Sequence, residues 1–211
     1  MRVISGVARG RHLRAAVDTR PTADLIKGAI FSMLEALAYR RGFEPDEEGN
    51  FAAGLAWPRV LDLFAGSGAL GIEALSRGAR SADFVEQDRA AAQVIASNLR
   101  LTDLADRARV HHAPLVVGLR SVRLPVDLVF ADPPYDATQA LADAVSALGK
   151  PGVLLSTSVV VLEQAWANQP PPSVGELTLA RSRRHGRTRI SLYEHDSASQ
   201  PSTDGFDSGV S

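Results

Sequence analysis

The sequence predicts an α/β fold: an open, Rossmann-like, mostly parallel sheet with an antiparallel C-terminal hairpin and a small N-terminal hairpin-helix extension. Three observations carry that expectation. From Arg59 onward, short apolar runs alternate with helical patterns, the signature of parallel strands joined by crossover helices that cover both faces of a sheet. The apolar run Val60-Leu61-Asp62-Leu63 passes directly into Phe64-Ala65-Gly66-Ser67-Gly68, a glycine turn that opens a helix. Near the C-terminus, two strand-like stretches flank His185-Gly186, which reads as a hairpin.

Taken in order, Arg2 to Ser5 and Arg11 to Ala16 read as a short hairpin around a Gly6 to Gly10 turn. Thr22 is placed to cap a helix from Ala23 to about Leu37, with Ile26, Ile30, Met33 and Leu37 on one face. Gly28 inside it costs about 1 kcal/mol relative to alanine. Residues 41–57 are polar, acidic and glycine-bearing, and read as a loop. Strands follow at 59–64, 81–86, 107–111, 126–131 and 158–163, with helices at 69–77, 89–99 and 137–148. Leu177 to Arg184 and Arg187 to Tyr193 form the hairpin, and a Ser-, Asp- and Gly-rich tail from Asp196 is expected to be disordered. The expected organisation is therefore an extension at 1–40, an acidic loop at 41–57, a main domain at 58–195 and a tail at 196–211.

A chain of 211 residues can bury one good-sized core. It contains no cysteine, so disulfide and thiol chemistry are excluded. His12, His111, His112, His185 and His195 show no metal-ligand spacing with acids and read as surface or nucleic-acid-facing; no metal is expected. No apolar signal core opens the chain and no apolar run is long enough for a bilayer, so a cytoplasmic protein without membrane contact is expected. Monomer is the default state. A net charge of −1 hides an uneven distribution, since residues 1–41 hold eight basic groups against three acids. Arg181, Arg183, Arg184, Arg187 and Arg189 form a second cluster. The two could converge into one phosphate-binding face.

Ligands of open sheets bind beyond the carboxyl ends of the strands, and three strand ends carry chemistry. The turn Phe64, Ala65, Gly66, Ser67, Gly68 lets backbone pass close under a ligand and presents helix N–H groups. Glu86, ending the next strand, can accept both ribose hydroxyls of an adenosine moiety. The spacing Gly66-x-Gly68-x-x-Gly71 also matches a dinucleotide fingerprint, but Asp62 would face a pyrophosphate unfavourably. S-adenosylmethionine, with its ammonium and sulfonium, suits acids at Asp62 and Asp132. After the apolar run 126–131 comes Asp132-Pro133-Pro134-Tyr135: a carboxylate, a stiff turn lacking N–H groups and an aromatic ring. Such a set can hold a planar base and orient its exocyclic amino group.

The order of these motifs is similar to that of class I S-adenosylmethionine-dependent methyltransferases. The N-terminal Arg2-Val3-Ile4-Ser5-Gly6, Arg9-Gly10-Arg11 and Arg20-Pro21-Thr22 with Asp24 and Phe31 narrow the match. With Asp62 to Gly71, Phe84-Val85-Glu86, Asp132 to Tyr135 and Gly186-Arg187-Thr188-Arg189, the chain resembles the bacterial 16S ribosomal RNA guanine-N2 methyltransferase family. That resemblance covers residues 2–194 apart from 41–57. It departs at Leu25, Gly28 and Ser32, where the family usually carries Arg, Glu and Asn, and near Pro114, where a third-strand acid usually meets the cofactor adenine.

The resemblance implies methyl transfer to the 2-amino group of a guanine in 16S ribosomal RNA, in an assembling small ribosomal subunit. Asp132, Pro133, Pro134 and Tyr135 would be catalytic, and Asp62, Phe64, Ala65, Gly66, Ser67, Gly68 and Glu86 would bind S-adenosylmethionine. Arg9, Arg11, Arg20, Arg183, Arg184 and Arg187 would hold RNA phosphates. A DNA adenine methyltransferase, a protein glutamine methyltransferase, a nicotinamide oxidoreductase and a non-catalytic RNA-binding protein are the competing readings.

Overall fold

A computed structural model describes residues 1–15, 24–47, 50–134 and 138–195. Thr22, expected as the cap of the first helix, lies outside them, as does the tail. The helices are α1 (Asp24–Arg40), α2 (Ala52–Ala56), α3 (Ala69–Ser76), α4 (Arg89–Leu101), α5 (Leu115–Leu119) and α6 (Thr138–Leu148). The strands are β1 (Arg59–Leu63), β2 (Ser81–Glu86), β3 (Ala108–His112), β4 (Val126–Ala131), β5 (Leu154–Ala165), β6 (Ser173–Val174), β7 (Leu177–His185) and β8 (Thr188–Glu194). They form one sheet in the order β3-β2-β1-β4-β5-β8-β7-β6. The first five strands in that order are parallel, and β8, β7 and β6 continue it antiparallel. The expected fold class is the observed one.

Strand periodicity divides the apolar residues between two cores. Val60, Phe84, Leu128, Phe130 and Val161 face a layer that includes α1, α3 and α4. Leu61, Leu63, Val85, Val129 and Leu162 face the other way, against α5 and α6. β4 is buried along its whole length, as a strand covered on both faces must be.

The structure differs from the sequence reading in several places, among them α5, for which no element was expected. Residues 52–56, read as loop, form α2, whose Ala52, Ala53 and Gly54 are buried. A Cβ at Gly54 would stand 2.4 Å from the Arg77 carbonyl oxygen, so this short helix is seated by close packing that composition does not reveal. The N-terminal hairpin is reduced to one strand-like bridge, Arg2 to His12, with backbone bonds joining Val3 to Arg11 and Leu13 to Met1, and its outward bonds divide between α3 and α4. The C-terminal turn falls at Gly186-Arg187, one residue later than expected.

The N-terminal segment is held by ions inside the core. Glu73, fully buried on α3, accepts from the backbone N–H of Ile4 at 2.8 Å and of Ser5 at 2.9 Å. Its carboxylate also pairs with Lys27 of α1 at 3.1 Å and with the Arg77 Nε at 3.0 Å. Lys27 donates in turn to the Arg2 carbonyl. The Arg77 guanidinium lies over the rings of Phe31 (4.6 Å) and Phe51 (5.0 Å). Ser76 completes the attachment, its hydroxyl accepting from Ala8 N–H and donating to the Ser5 carbonyl. At Gly6, with φ +81°, a Cβ would sit 1.8 Å from the Ser76 oxygen.

Removing one member of a buried ion pair leaves the other uncompensated and costs about 3–5 kcal/mol. Glu73→Gln should therefore lower stability by about that amount in urea unfolding. A loss below about 1 kcal/mol would mean that water reaches the pair.

Candidate active site

The carboxyl ends of β2, β1 and β4 meet at one level. Leu63 is paired with Val85 on one side and with Ala131 on the other. The next residues along each strand are Phe64, Glu86 and Asp132, so the glycine turn stands between the two acids. With strands about 4.8 Å apart, Glu86 and Asp132 flank a crevice roughly 10 Å wide at the backbone.

The turn needs its unusual backbone. Phe64 has φ +56°, Gly66 +55° and Gly68 +76°, and a positive φ is uncommon for phenylalanine. It is pinned from several directions. Gly66 N–H donates to Glu86 Oε2 at 2.8 Å, while Glu86 Oε1 accepts from Asp88 N–H at 2.8 Å. Gly71 N–H, in the first turn of α3, donates to Asp62 Oδ2 at 2.9 Å. The Ser67 carbonyl accepts from the side chain of buried Asn98 at 2.9 Å. Asp62 and Glu86, read from sequence as ligand-facing acids, also hold the turn's shape.

The residues present fit S-adenosylmethionine. A Cβ on Gly66 would meet nothing closer than 3.9 Å, so the space above that backbone is open for a ligand. Glu86 is oriented by two backbone donors and its oxygens retain lone pairs for further donors. Asp62 is 3% exposed. Burial pushes its carboxyl up to about 8, the Gly71 N–H offsets part of this, and nearby Glu86 raises it further. Glu86, joined by Asp62 when a cation draws off its proton, favours a cationic ligand and disfavours a pyrophosphate.

Asp132 is half-buried, Pro133 buried and Pro134 exposed. Tyr135 and Arg20 lie outside the described residues. Arg183, Arg184 and Arg187 are exposed near the β7–β8 turn. Ala131 pairs with Leu162, and β5 continues three residues to Ala165, opposite Thr188; the hairpin tip therefore rises about 10 Å past the crevice edge. Arg9 and Arg11 are exposed elsewhere: Arg11 reaches the Leu101 carbonyl at 3.4 Å, at the end of α4 farthest from the crevice. The two basic clusters thus do not converge on one spot. Arg189 leaves the second cluster, being 9% exposed, bonded to Ser182 and the Trp166 carbonyl, and stacked on the Trp166 ring at 3.9 Å. His111, read as a surface residue, is mostly buried and pairs with Asp83 at 2.6 Å; β2 and β3 bring the two together across the ladder.

Sequence reasoning missed Asn98 and Glu73. Asn98 binds the Ser67 carbonyl and also both backbone groups of Arg14, joining the N-terminal segment to the turn. The available signal was a polar residue between Ile95 and Leu99 on a buried helix face, and an acid inside the apolar run Ala69-Leu70-Gly71-Ile72-Glu73-Ala74-Leu75. Among the described residues, no group of three or more histidines and acids is placed to hold a metal, and no helix is long and apolar enough to cross a membrane.

Sheet order, crevice and paired acids together define a class I S-adenosylmethionine-dependent methyltransferase. Comparison with known proteins narrows this class. Residues 1–194 match the family model described as conserved hypothetical protein 95. YlbH of Bacillus subtilis, named as a candidate rRNA methyltransferase, is 35% identical over 92% of this chain and 98% of its own. Ribosomal RNA small subunit methyltransferase D of Escherichia coli K12 is 31% identical over 97% of this chain and 94% of its own. The solved structure of yhhF from Escherichia coli, described as a candidate methyltransferase, superposes with a TM-score of 0.74 at 31% identity, covering 93% of this chain and 98% of that one. The chain belongs to this family, that of the ribosomal RNA small subunit methyltransferase D proteins.

The raised Asp62 carboxyl has a definite sign. Stability from protonated Asp62 is fully present below its unfolded value of 3.8 and is lost as pH rises through about 8. Asp62→Asn keeps an acceptor for Gly71 N–H, so its unfolding free energy should fall less steeply than wild type between those pH values. Parallel pH profiles for the two proteins would refute the assignment.

Proposed function

We propose that this methyltransferase acts on the exocyclic 2-amino group of a guanine in 16S ribosomal RNA, in the cytoplasm and within an assembling small subunit. The alignment of Asp132-Pro133-Pro134 with the glycine turn across β1 and β4 carries the reading. The names of the relatives from Bacillus subtilis and Escherichia coli support an RNA acceptor. In this reading residues 58–195 are the methyltransferase domain, 1–40 contribute RNA contacts, and the chain works as a monomer.

Bound S-adenosylmethionine supplies an electrophilic methyl group on a sulfonium. Asp62, Glu86 and the turn Phe64 to Gly68 bind and orient that cofactor. The guanine amino nitrogen is a poor nucleophile because its lone pair is delocalised into the ring. Asp132 and the Pro133 carbonyl accept its two hydrogens, drawing the nitrogen towards tetrahedral geometry. Positive charge grows on nitrogen as the bond forms, so an aimed carboxylate stabilises the transition state more than the ground state. Half-buried Asp132 then receives the displaced proton and returns it to solvent. Pro133 and Pro134 stiffen the turn, which keeps acceptors and nucleophile in one arrangement. Tyr135 stacks on the extruded base, whose flipping costs a few kcal/mol and less in a loop. Arg9, Arg11, Arg20, Arg183, Arg184 and Arg187 hold phosphates on either side.

Tritiated methyl transfer onto undermethylated small subunits, naked ribosomal RNA, DNA and protein tests the acceptor. Label should enter RNA at guanine; label confined to DNA or protein would overturn the proposal. Asp132→Ala should reduce turnover by about 10²–10³-fold or more while calorimetry with S-adenosylhomocysteine still reports binding; full turnover would remove Asp132 from the mechanism. Replacing Arg9 and Arg11 together by alanine should lower the salt dependence of RNA binding by about one power of salt concentration per lost contact. An unchanged slope would place the RNA elsewhere.

A further inference from the structure

An open groove of about 540 Å³ runs between the N-terminal segment and α1, outside the methyl-transfer crevice. Arg2, Ile4 and Arg9 form one wall, and Leu25, Gly28 and Ser32 the other. The volume lies in the range that accommodates small ligands. Its chemistry is mixed. Leu25 is 74% exposed and offers the groove an apolar side chain. Gly28 leaves the wall bare: a Cβ there would meet only Ile4 Cδ1, at 3.8 Å. Arg2 and Arg9 are both exposed, and Arg2 also engages Asp24 at 3.9 Å at the start of α1.

Position adds to chemistry. Arg2 adjoins Met1, whose sulfur lies 3.9 Å from the Ser67 hydroxyl of the glycine turn. Arg2 itself lines the groove, so the groove adjoins the segment that touches the glycine turn. Its apolar wall and cationic rim suit a nucleotide with a planar base and an anionic phosphate.

We propose that this groove is a second RNA subsite, which holds a single-stranded nucleotide flanking the target. Its base lies against Ile4, Leu25 and the bare backbone of Gly28, and its phosphate is held by Arg9 and Arg2. The inference rests on the RNA reading above and deepens it, because it gives the N-terminal segment a base-contacting role in addition to a charge.

Gly28 supplies the test, since filling it should strengthen the fold while obstructing the groove. Gly28→Ala and Gly28→Met both replace a poor helix residue by good ones and should raise the melting temperature. Under the proposal, KM for undermethylated ribosomal RNA and Kd for a short single-stranded RNA oligonucleotide rise with side-chain size. The methionine variant should show a rise of about tenfold, the scale of losing a few buried apolar contacts. Binding of S-adenosylhomocysteine, measured by calorimetry, should not follow that order. Unchanged KM and Kd in both variants would overturn the subsite and leave the RNA reading intact. A KM effect seen only with protein-containing particles and not with naked RNA would assign the groove to a protein and also overturn it. Wild-type protein that neither binds nor methylates RNA would sink the underlying reading, and the groove with it.

Discussion

The Glu73 carboxylate joins parts of the chain that the sheet alone would not connect. It sits on α3, whose first turn is the floor of the glycine turn, and takes two backbone N–H groups of the N-terminal segment, the α1 lysine and the Arg77 guanidinium. A buried ion is costly unless its charge and lone pairs are met, and here four donors meet them. That arrangement leaves little freedom to the Ile4–Ser5 segment. It therefore also sets one wall of the groove along α1, because Arg2 and Ile4 can lie only where Glu73 and Lys27 hold the backbone.

A second constraint acts at the crevice. The glycine turn uses three positive φ angles in five residues, and such backbone persists only when its surroundings determine it. Asp62, Glu86 and Asn98 do so from β1, β2 and α4. Two of those side chains are acids suited to the cofactor's cationic end and ribose. In the proposed reading, structural and ligand-binding demands fall on the same carboxylates, and at Asp62 they oppose each other: its burial raises its proton affinity, while a cationic ligand would favour its ionised form.

The basic surface is extended. Arg183, Arg184 and Arg187 rise beside the Asp132 strand end, whereas Arg9 and Arg11 lie along the helical layer. An acceptor touching both would span more of the surface than a single flipped nucleotide requires, which suits a folded RNA.

Much of the architecture was legible in the chain. Strand and helix periods are local, so β1, β2, β4, α3 and α4 fell within a few residues of where apolar spacing placed them. Asp62, Glu86 and Asp132 were marked as one crevice because parallel strands must end on the same side. Other features were not legible, for a common physical reason. Ile4 meets Glu73 across 69 residues, and Arg14 meets Asn98 across 84; neither partner carries a local sign of the other. Helix α2 is too short to show a period, and it exists because Gly54 can approach the Arg77 carbonyl. Local spacing of residue types accounts for the sheet, the turn and the acids that close it. The pairing of buried ions, the separation of the arginine clusters and the groove along α1 arose only when distant segments packed, since a charge can be buried only where its partners converge.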